Sequence, residues 1–162
     1  LFNHESPLRG ETFVTRKIVR GLVNIYLGKQ KKLLIGNLHA KRDWGHAKDY
    51  VEAMWLMLQQ KKPEDYVIST GVQHTVKEFI NICAKKLNLK IVWKGNGVRE
   101  KGYCNGKSII EVNAKYFRPA EVNNLVGSSA KARRKLGWKS KINIYQLVDE
   151  MIEEDLARAE QV

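Results

Sequence analysis

Residues 1–17, Leu1-Phe2-Asn3-His4-Glu5-Ser6-Pro7-Leu8-Arg9-Gly10-Glu11-Thr12-Phe13-Val14-Thr15-Arg16-Lys17, decide how the rest of the chain is read. A short apolar start runs into a cluster of hydrogen-bonding side chains, passes Gly10 and enters a helical pattern. Asn, His, Glu, Ser and Arg crowded beside a buried strand cost stability unless each finds a partner, and a bound ligand supplies partners. The segment therefore reads as one wall of a ligand site at a strand end, where loops gather such groups. Lys17 falls in the first turn of the following helix, a position the helix dipole disfavours for a cation. An anion sharing the site would account for it.

Downstream, strand and helix patterns alternate, which predicts an α/β chain. Ile18, Leu22 and Ile25, flanked by Val19, Val23 and Tyr26, recur at helical spacing over 15–27, and Gly28 stops the run. Leu33, Leu34 and Ile35 predict a short strand closed by Gly36-Asn37. A second helix is expected over 47–60 with Tyr50, Val51, Met54, Trp55 and Leu58 turned inward, ended by Pro63. Residues 66–69 read as a buried strand. Thr75 and Glu78 form a capping box for a helix whose apolar face is Val76, Phe79, Ile80, Cys83 and Leu87. Residues 90–93 predict a strand, 95–106 an irregular glycine-rich loop and 108–112 an edge strand. A short helix ends at Leu136. The last helix begins near Asn143 and carries the stripe Ile144, Leu147, Val148, Met151, Ile152 and Leu156.

The 162 residues suit one ordinary domain or a large piece of a bigger protein, and no apolar run is long enough to span a bilayer. Opening on Leu1 in what reads as the end of a strand leads to the expectation that an upstream part lies outside this chain. Cys83 and Cys104 are too few for a disulfide scaffold or a zinc site, so a reducing cytoplasm is expected. The net charge of +12 raises the possibility of a nucleic-acid surface. However, the last helix is acidic and the cations are scattered over helix ends and loops. With no continuous basic face on any helix, a solvated surface is the better reading.

Two patterns are set aside. Tyr103 and Lys107 have the spacing of a Tyr-x-x-x-Lys oxidoreductase pair, but Gly102 and Gly106 argue against the helical turn that pair requires. Gly95-Asn96-Gly97 follows a strand without opening an apolar helix, so it fails as a dinucleotide loop. Arg42 precedes a helix and could grip a phosphate with its planar fork, with Asp43 a helix cap and Trp44 a core anchor. Arg118 and Glu121 flank Pro119 and could share one target, the Arg suited to a pyrophosphate and the Glu to ribose hydroxyls. For both sets a surface salt bridge is the competing account.

Taken together, four segments resemble the GDP-mannose 4,6-dehydratase family of extended short-chain dehydrogenases/reductases. They are Asn3 to Ile18; Gly36-Asn37 with Arg42-Asp43-Trp44-Gly45-His46-Ala47-Lys48-Asp49-Tyr50-Val51; Tyr116-Phe117-Arg118-Pro119-Ala120-Glu121-Val122; and Lys135-Leu136-Gly137-Trp138-Lys139. The resemblance covers essentially the whole chain. It implies that residues 1–162 are the C-terminal, nucleotide-sugar-binding portion: a small α/β substrate-binding domain plus late elements of the NADP-binding Rossmann domain, whose N-terminal part is absent.

By this resemblance His4 and Arg9 match positions that contact NADP. Asn3, Val14, Lys17, Arg42, Arg118 and Glu121 match positions that hold GDP-mannose. The family's glycine-rich loop, catalytic Thr and Glu, and Tyr-x-x-x-Lys pair lie upstream, so no catalytic residue and no metal site is expected here. The whole enzyme converts GDP-mannose to GDP-4-dehydro-6-deoxy-mannose and water by internal redox, and the family tends to tetramers. Leu8 departs from the pattern, which commonly has Arg there. Two alternatives stand: a sister enzyme such as GDP-4-keto-6-deoxy-mannose reductase, and a non-enzymatic basic nucleic-acid-binding domain.

Overall fold

The computed structural model describes residues 1–116 and 122–160. The opening segment divides on either side of Gly10 into strand β1, Asn3–Glu5, and helix α1, Val14–Tyr26. There follow β2 (Leu33–Ile35), β3 (Lys41–Arg42), β4 (Trp44–His46), α2 (Ala47–Leu58), β5 (His74–Thr75) and α3 (Val76–Lys86). The chain continues through β6 (Val92–Lys94), β7 (Lys101–Cys104), β8 (Lys107–Val112), β9 (Asn124–Leu125), α4 (Ala130–Leu136) and α5 (Ile144–Glu160).

These strands form three small sheets. β1 and β4 make a parallel pair. β2, β8, β7 and β6 make a four-stranded sheet in that order, in which β2 runs parallel to β8 and the other pairings are antiparallel. β3 lies between β5, antiparallel, and β9, parallel. One apolar cluster joins α1, α3 and α5 to β2, Trp44 and β8, with Ile18, Leu22, Phe79, Ile110, Val148 and Met151 wholly buried. A smaller cluster packs Tyr50 and Ala53 of α2 against Ile68, Ala132, Leu136 and Trp138. Asp49 fastens the chain after α4 to α2, because its carboxylate accepts from Ser140 Oγ and from the amides of Lys141 and Ile142. Trp138 Nε1 completes the join by donating to the Asp49 carbonyl at 2.8 Å. Arg16 of α1 and Asp155 of α5 form a buried ion pair across the main core.

Most elements fall where the residue pattern puts them, including the reciprocal Thr75–Glu78 capping box. Four readings change. Ser108 to Val112 do not form an edge strand: β8 sits between β2 and β7, and Ile109 and Ile110, neighbours on opposite faces, are both buried. Part of the expected loop is instead strand β7, joined to β8 by a tight Asn105-Gly106 turn with both φ angles positive, at 50° and 76°. Residues 66–69 pair with no strand among the described residues, although Ile68 and Ser69 are buried and the Ile68 carbonyl accepts from the Phe2 amide. Finally, Tyr50 is buried in α2 as expected, but Val51, Met54, Trp55 and Leu58 are exposed, because no described element covers that face. The rejected Tyr103–Lys107 pair lies on opposite strands of the hairpin, with Tyr103 opposite Ser108 and Lys107 opposite Cys104.

Glu111 on β8 collects Lys32 Nζ at 2.8 Å, Ser108 Oγ at 3.0 Å and Lys101 Nζ at 3.3 Å, and these donors hold its carboxyl down at about 2. A folded pKa below the unfolded one gives stability that is present above the ordinary carboxylate range and is lost as pH falls through the folded value. Glu111→Gln is expected to cost no more than about 1 kcal/mol at neutral pH in urea melts. That difference should narrow as pH drops from the ordinary 4.5 toward about 2. A difference that is constant with pH would contradict this account.

Candidate functional site

The C-terminal ends of β1 and β2 and the start of α1 open onto one cleft of about 650 Å3. Its lining includes Asn3, Glu5, Arg9, Val14, Lys17, Asn37, Arg42, Trp44, Lys115 and Tyr116. The ends of parallel strands in an α/β fold are where ligands characteristically sit. Arg9, Lys17, Arg42 and Lys115 bring four cations to the cleft, and among the described residues Glu5 is the only carboxylate lining it. Elsewhere lysines are matched to acids: Lys131 and Lys135 to Glu64, Lys86 to Asp149 and Glu153, Lys141 to Glu52.

Three of these cations, Arg9, Lys17 and Arg42, are each held differently. Arg9 lies with its guanidinium carbon 3.6 Å from the centroid of the Phe13 ring and its Nε 3.3 Å from Glu5 Oε2. Lys17 reaches its ammonium over the Tyr116 ring at 3.3 Å, and burial lowers its pKa. No carboxylate pairs with Lys17 among the described residues. Arg42 donates from Nη1 to the Lys41 carbonyl at 2.8 Å and to the Val122 carbonyl. Tyr116 comes this close because residue 36 is a glycine: a Cβ there would collide with the Tyr116 carbonyl. Lys17 and Tyr116 also line an adjoining cavity of about 390 Å3, together with Arg20 and Lys32.

Of the residues singled out in the sequence, Asn3, Arg9, Val14, Lys17 and Arg42 share this cleft, while Arg118 and Glu121 lie outside the described residues. His4 does not line it. Side chains alternate along a strand, so Asn3 and Glu5 face the cleft while His4 packs its ring 5.3 Å from that of Tyr50 and bonds the Phe2 carbonyl through Nδ1. Leu8 is exposed. Thr12, Phe13, Asn37, Lys115 and Tyr116 also line the site without standing out as site residues in the sequence. For Asn37 the signal was its place just past the end of a strand.

Asp43 also has a different job from the helix cap it resembled. The cap of α2 is His46, whose Nδ1 accepts from the Lys48 amide, leaving Nε2 to donate to Glu150 at 2.8 Å. Asp43 is fully buried and accepts from the Thr70 amide, the Thr70 hydroxyl and the Gly71 amide at 2.9, 2.6 and 2.8 Å. It thereby fixes the backbone next to Arg42. Asp43→Asn turns one acceptor into a donor facing an N–H, and should cost about 2 kcal/mol in urea melts. A midpoint equal to that of wild type would contradict the role.

Comparisons with known proteins follow the same line. A family model described as GDP-mannose 4,6 dehydratase matches residues 1–151. The chain is 51% identical over 172 residues to a GDP-mannose 4,6-dehydratase of Vibrio cholerae, covering 99% of this chain and 46% of that protein. To its counterpart in Dictyostelium discoideum it is 52% identical over 158 residues, covering 96% and 44%. The fold resembles that of RMD from Pseudomonas aeruginosa complexed with NADPH, with a TM-score of 0.79 and 22% identity over 96% of this chain and 46% of that one. It also resembles dTDP-glucose 4,6-dehydratase (rfbB) from Bacillus anthracis in complex with NAD, with a TM-score of 0.74 and 19% identity over 98% and 44%. The architecture is thus that of part of an extended short-chain dehydrogenase/reductase, and the chain spans less than half the length of the curated relatives it matches. With the match running from residue 1 to residue 151, the chain belongs to the GDP-mannose 4,6-dehydratase family.

Proposed function

We propose that this chain is the C-terminal, GDP-mannose-gripping portion of an NADP-dependent GDP-mannose 4,6-dehydratase. The observation that carries this reading is the meeting of Arg9, Lys17 and Arg42, from three separate segments, in one cleft at the ends of parallel strands. A diphosphate is the counter-charge such a cleft suits. Lys17 and Arg42 grip the diphosphate, Asn3 and Val14 line the cleft beside it, and Arg118 and Glu121 complete the hold on the nucleotide sugar. The chain on either side of those two residues supports the assignment: Lys115 and Tyr116 line the cleft, and the Val122 carbonyl takes a hydrogen bond from Arg42.

Arg9 suits a phosphate-bearing cofactor, because its Nε edge faces Glu5 while no hydrogen bond among the described residues engages its two terminal nitrogens. His4 is assigned to the same cofactor from the opposite face of β1. When bound, NADP supplies the acceptance and return of a hydride. The residues of this chain bind and orient; the acid and base come from the part of the protein outside it. The exposed apolar face of α2, with Val51, Trp55 and Leu58, and the two-stranded parallel pair of β1 and β4 support that larger fold, since parallel strands are normally covered on both faces. The assembled enzyme works in the cytoplasm as a homo-oligomer, by family resemblance a tetramer, and takes no nucleic acid. Among the described residues no helix is long and apolar enough to cross a membrane.

Thermal-shift measurements test the reading. GDP and GDP-mannose should raise the midpoint, by the equivalent of about 2.7 kcal/mol at a hundred times Kd. Lys17→Met and Arg42→Met should each weaken the effect about tenfold or more, the loss of a charge-assisted contact. The chain by itself should show no dehydratase turnover. A shift with single-stranded nucleic acid that collapses with salt, and none with GDP, would overturn the reading. So would measurable turnover by the chain alone.

A further inference from the structure

Glu5 has the wrong charge for a site that attracts anions, yet it lines the cleft and is only 2% exposed. Burial raises its pKa, against the opposing effects of the Thr15 hydrogen bond and the Arg9 charge. A cleft that needed only positive potential would attract phosphate better without it. Its contacts give it another task. Oε2 accepts from the Thr15 hydroxyl in α1 and faces Arg9 Nε. On its other side the Arg9 guanidinium is bounded by the Phe13 ring. Among the described residues no hydrogen bond engages the two terminal nitrogens of Arg9, whose side chain keeps 23% of its surface exposed.

The geometry points to Glu5 as a positioning residue: anchored by Thr15, it holds the Nε edge of Arg9 over Phe13 and leaves the terminal fork for the phosphate oxygens of a bound nucleotide. This rests on the reading of Arg9 as a nucleotide contact. Glu5 touches no ligand and works through Arg9. An arginine on a mobile stem would have to be ordered on binding, whereas one already clamped between a carboxylate and a ring loses less freedom.

The test is a calorimetric titration of NADP and of GDP, separately, into the 162-residue chain and its Glu5→Gln, Arg9→Met and double variants. Arg9→Met identifies which nucleotide Arg9 holds, NADP being expected. For that nucleotide Glu5→Gln should weaken binding about tenfold, and the double variant should be no weaker than Arg9→Met, as coupled residues require. The gap between wild type and Glu5→Gln should close as pH falls and Glu5 takes its proton. Thr15→Val, which removes only the anchor, should show a smaller loss with the same dependence on Arg9, and serves if Glu5→Gln does not fold. Tighter binding in Glu5→Gln, as plain repulsion demands, or losses that add to those of Arg9→Met, would overturn the proposal. A measurement without ligand separates it from the reading beneath it. The Arg9 15Nε–1Hε resonance should be resolved in wild type and averaged in Glu5→Gln whether or not nucleotides bind, and an unchanged resonance would refute the clamp. Absence of binding by wild type to both nucleotides would instead refute the nucleotide reading.

Discussion

Like charges gathered in one cleft repel one another, and a fold that keeps Arg9, Lys17, Arg42 and Lys115 together has to hold each against that repulsion. It does so with local braces. Glu5 and Thr15 tie the end of β1 to α1 and fix Arg9. Asp43, fully buried, gathers the backbone and hydroxyl of Thr70 and the amide of Gly71, and so sets the strand that carries Arg42. The glycine at position 36 lets Tyr116 close over Lys17. The rest of the structure can be read as support for these braces: the α1–α3–α5 core holds the base of the cleft, and the buried Arg16–Asp155 pair locks α1 to α5 beneath it.

What the sequence made legible followed from periodicity and caps. The apolar stripes of α1, α3 and α5 and the reciprocal Thr75–Glu78 contacts are local properties, and they fall where the residues place them. Segments that depend on distant partners were harder to read. Nothing local in Ser108 to Val112 says that strands will pair on both sides, although the two adjacent isoleucines hinted at it. The Asn105-Gly106 hairpin signal was there to be read, but was masked by the glycines around it. α2 reads as having one broad buried face because Val51, Met54, Trp55 and Leu58 are as apolar as core residues, yet no described element covers them.

The site shows the same division. Charge and residue type pointed to Lys17 and Arg42, whereas the pleat of β1 separated His4 from its neighbours Asn3 and Glu5. Asp43 looked like a cap because it stands before a helix; only the return of residues 70–71 to its side gives it its actual partners. Lys115 and Tyr116 carried no signal of their own, since their place in the cleft depends on a contact with a glycine about eighty residues earlier in the chain.

That separate cations converge on a single anion site is the claim everything else depends on, and chemical-shift mapping of the labelled chain with GDP tests it most directly. The account predicts that the signals of Asn3, Arg9, Lys17, Arg42, Lys115 and Tyr116 move together along one saturable titration, with those of the hairpin turn at Asn105-Gly106 unmoved. Shifts spread over the basic surface of α4, or separate titrations for Lys17 and Arg42, would contradict it.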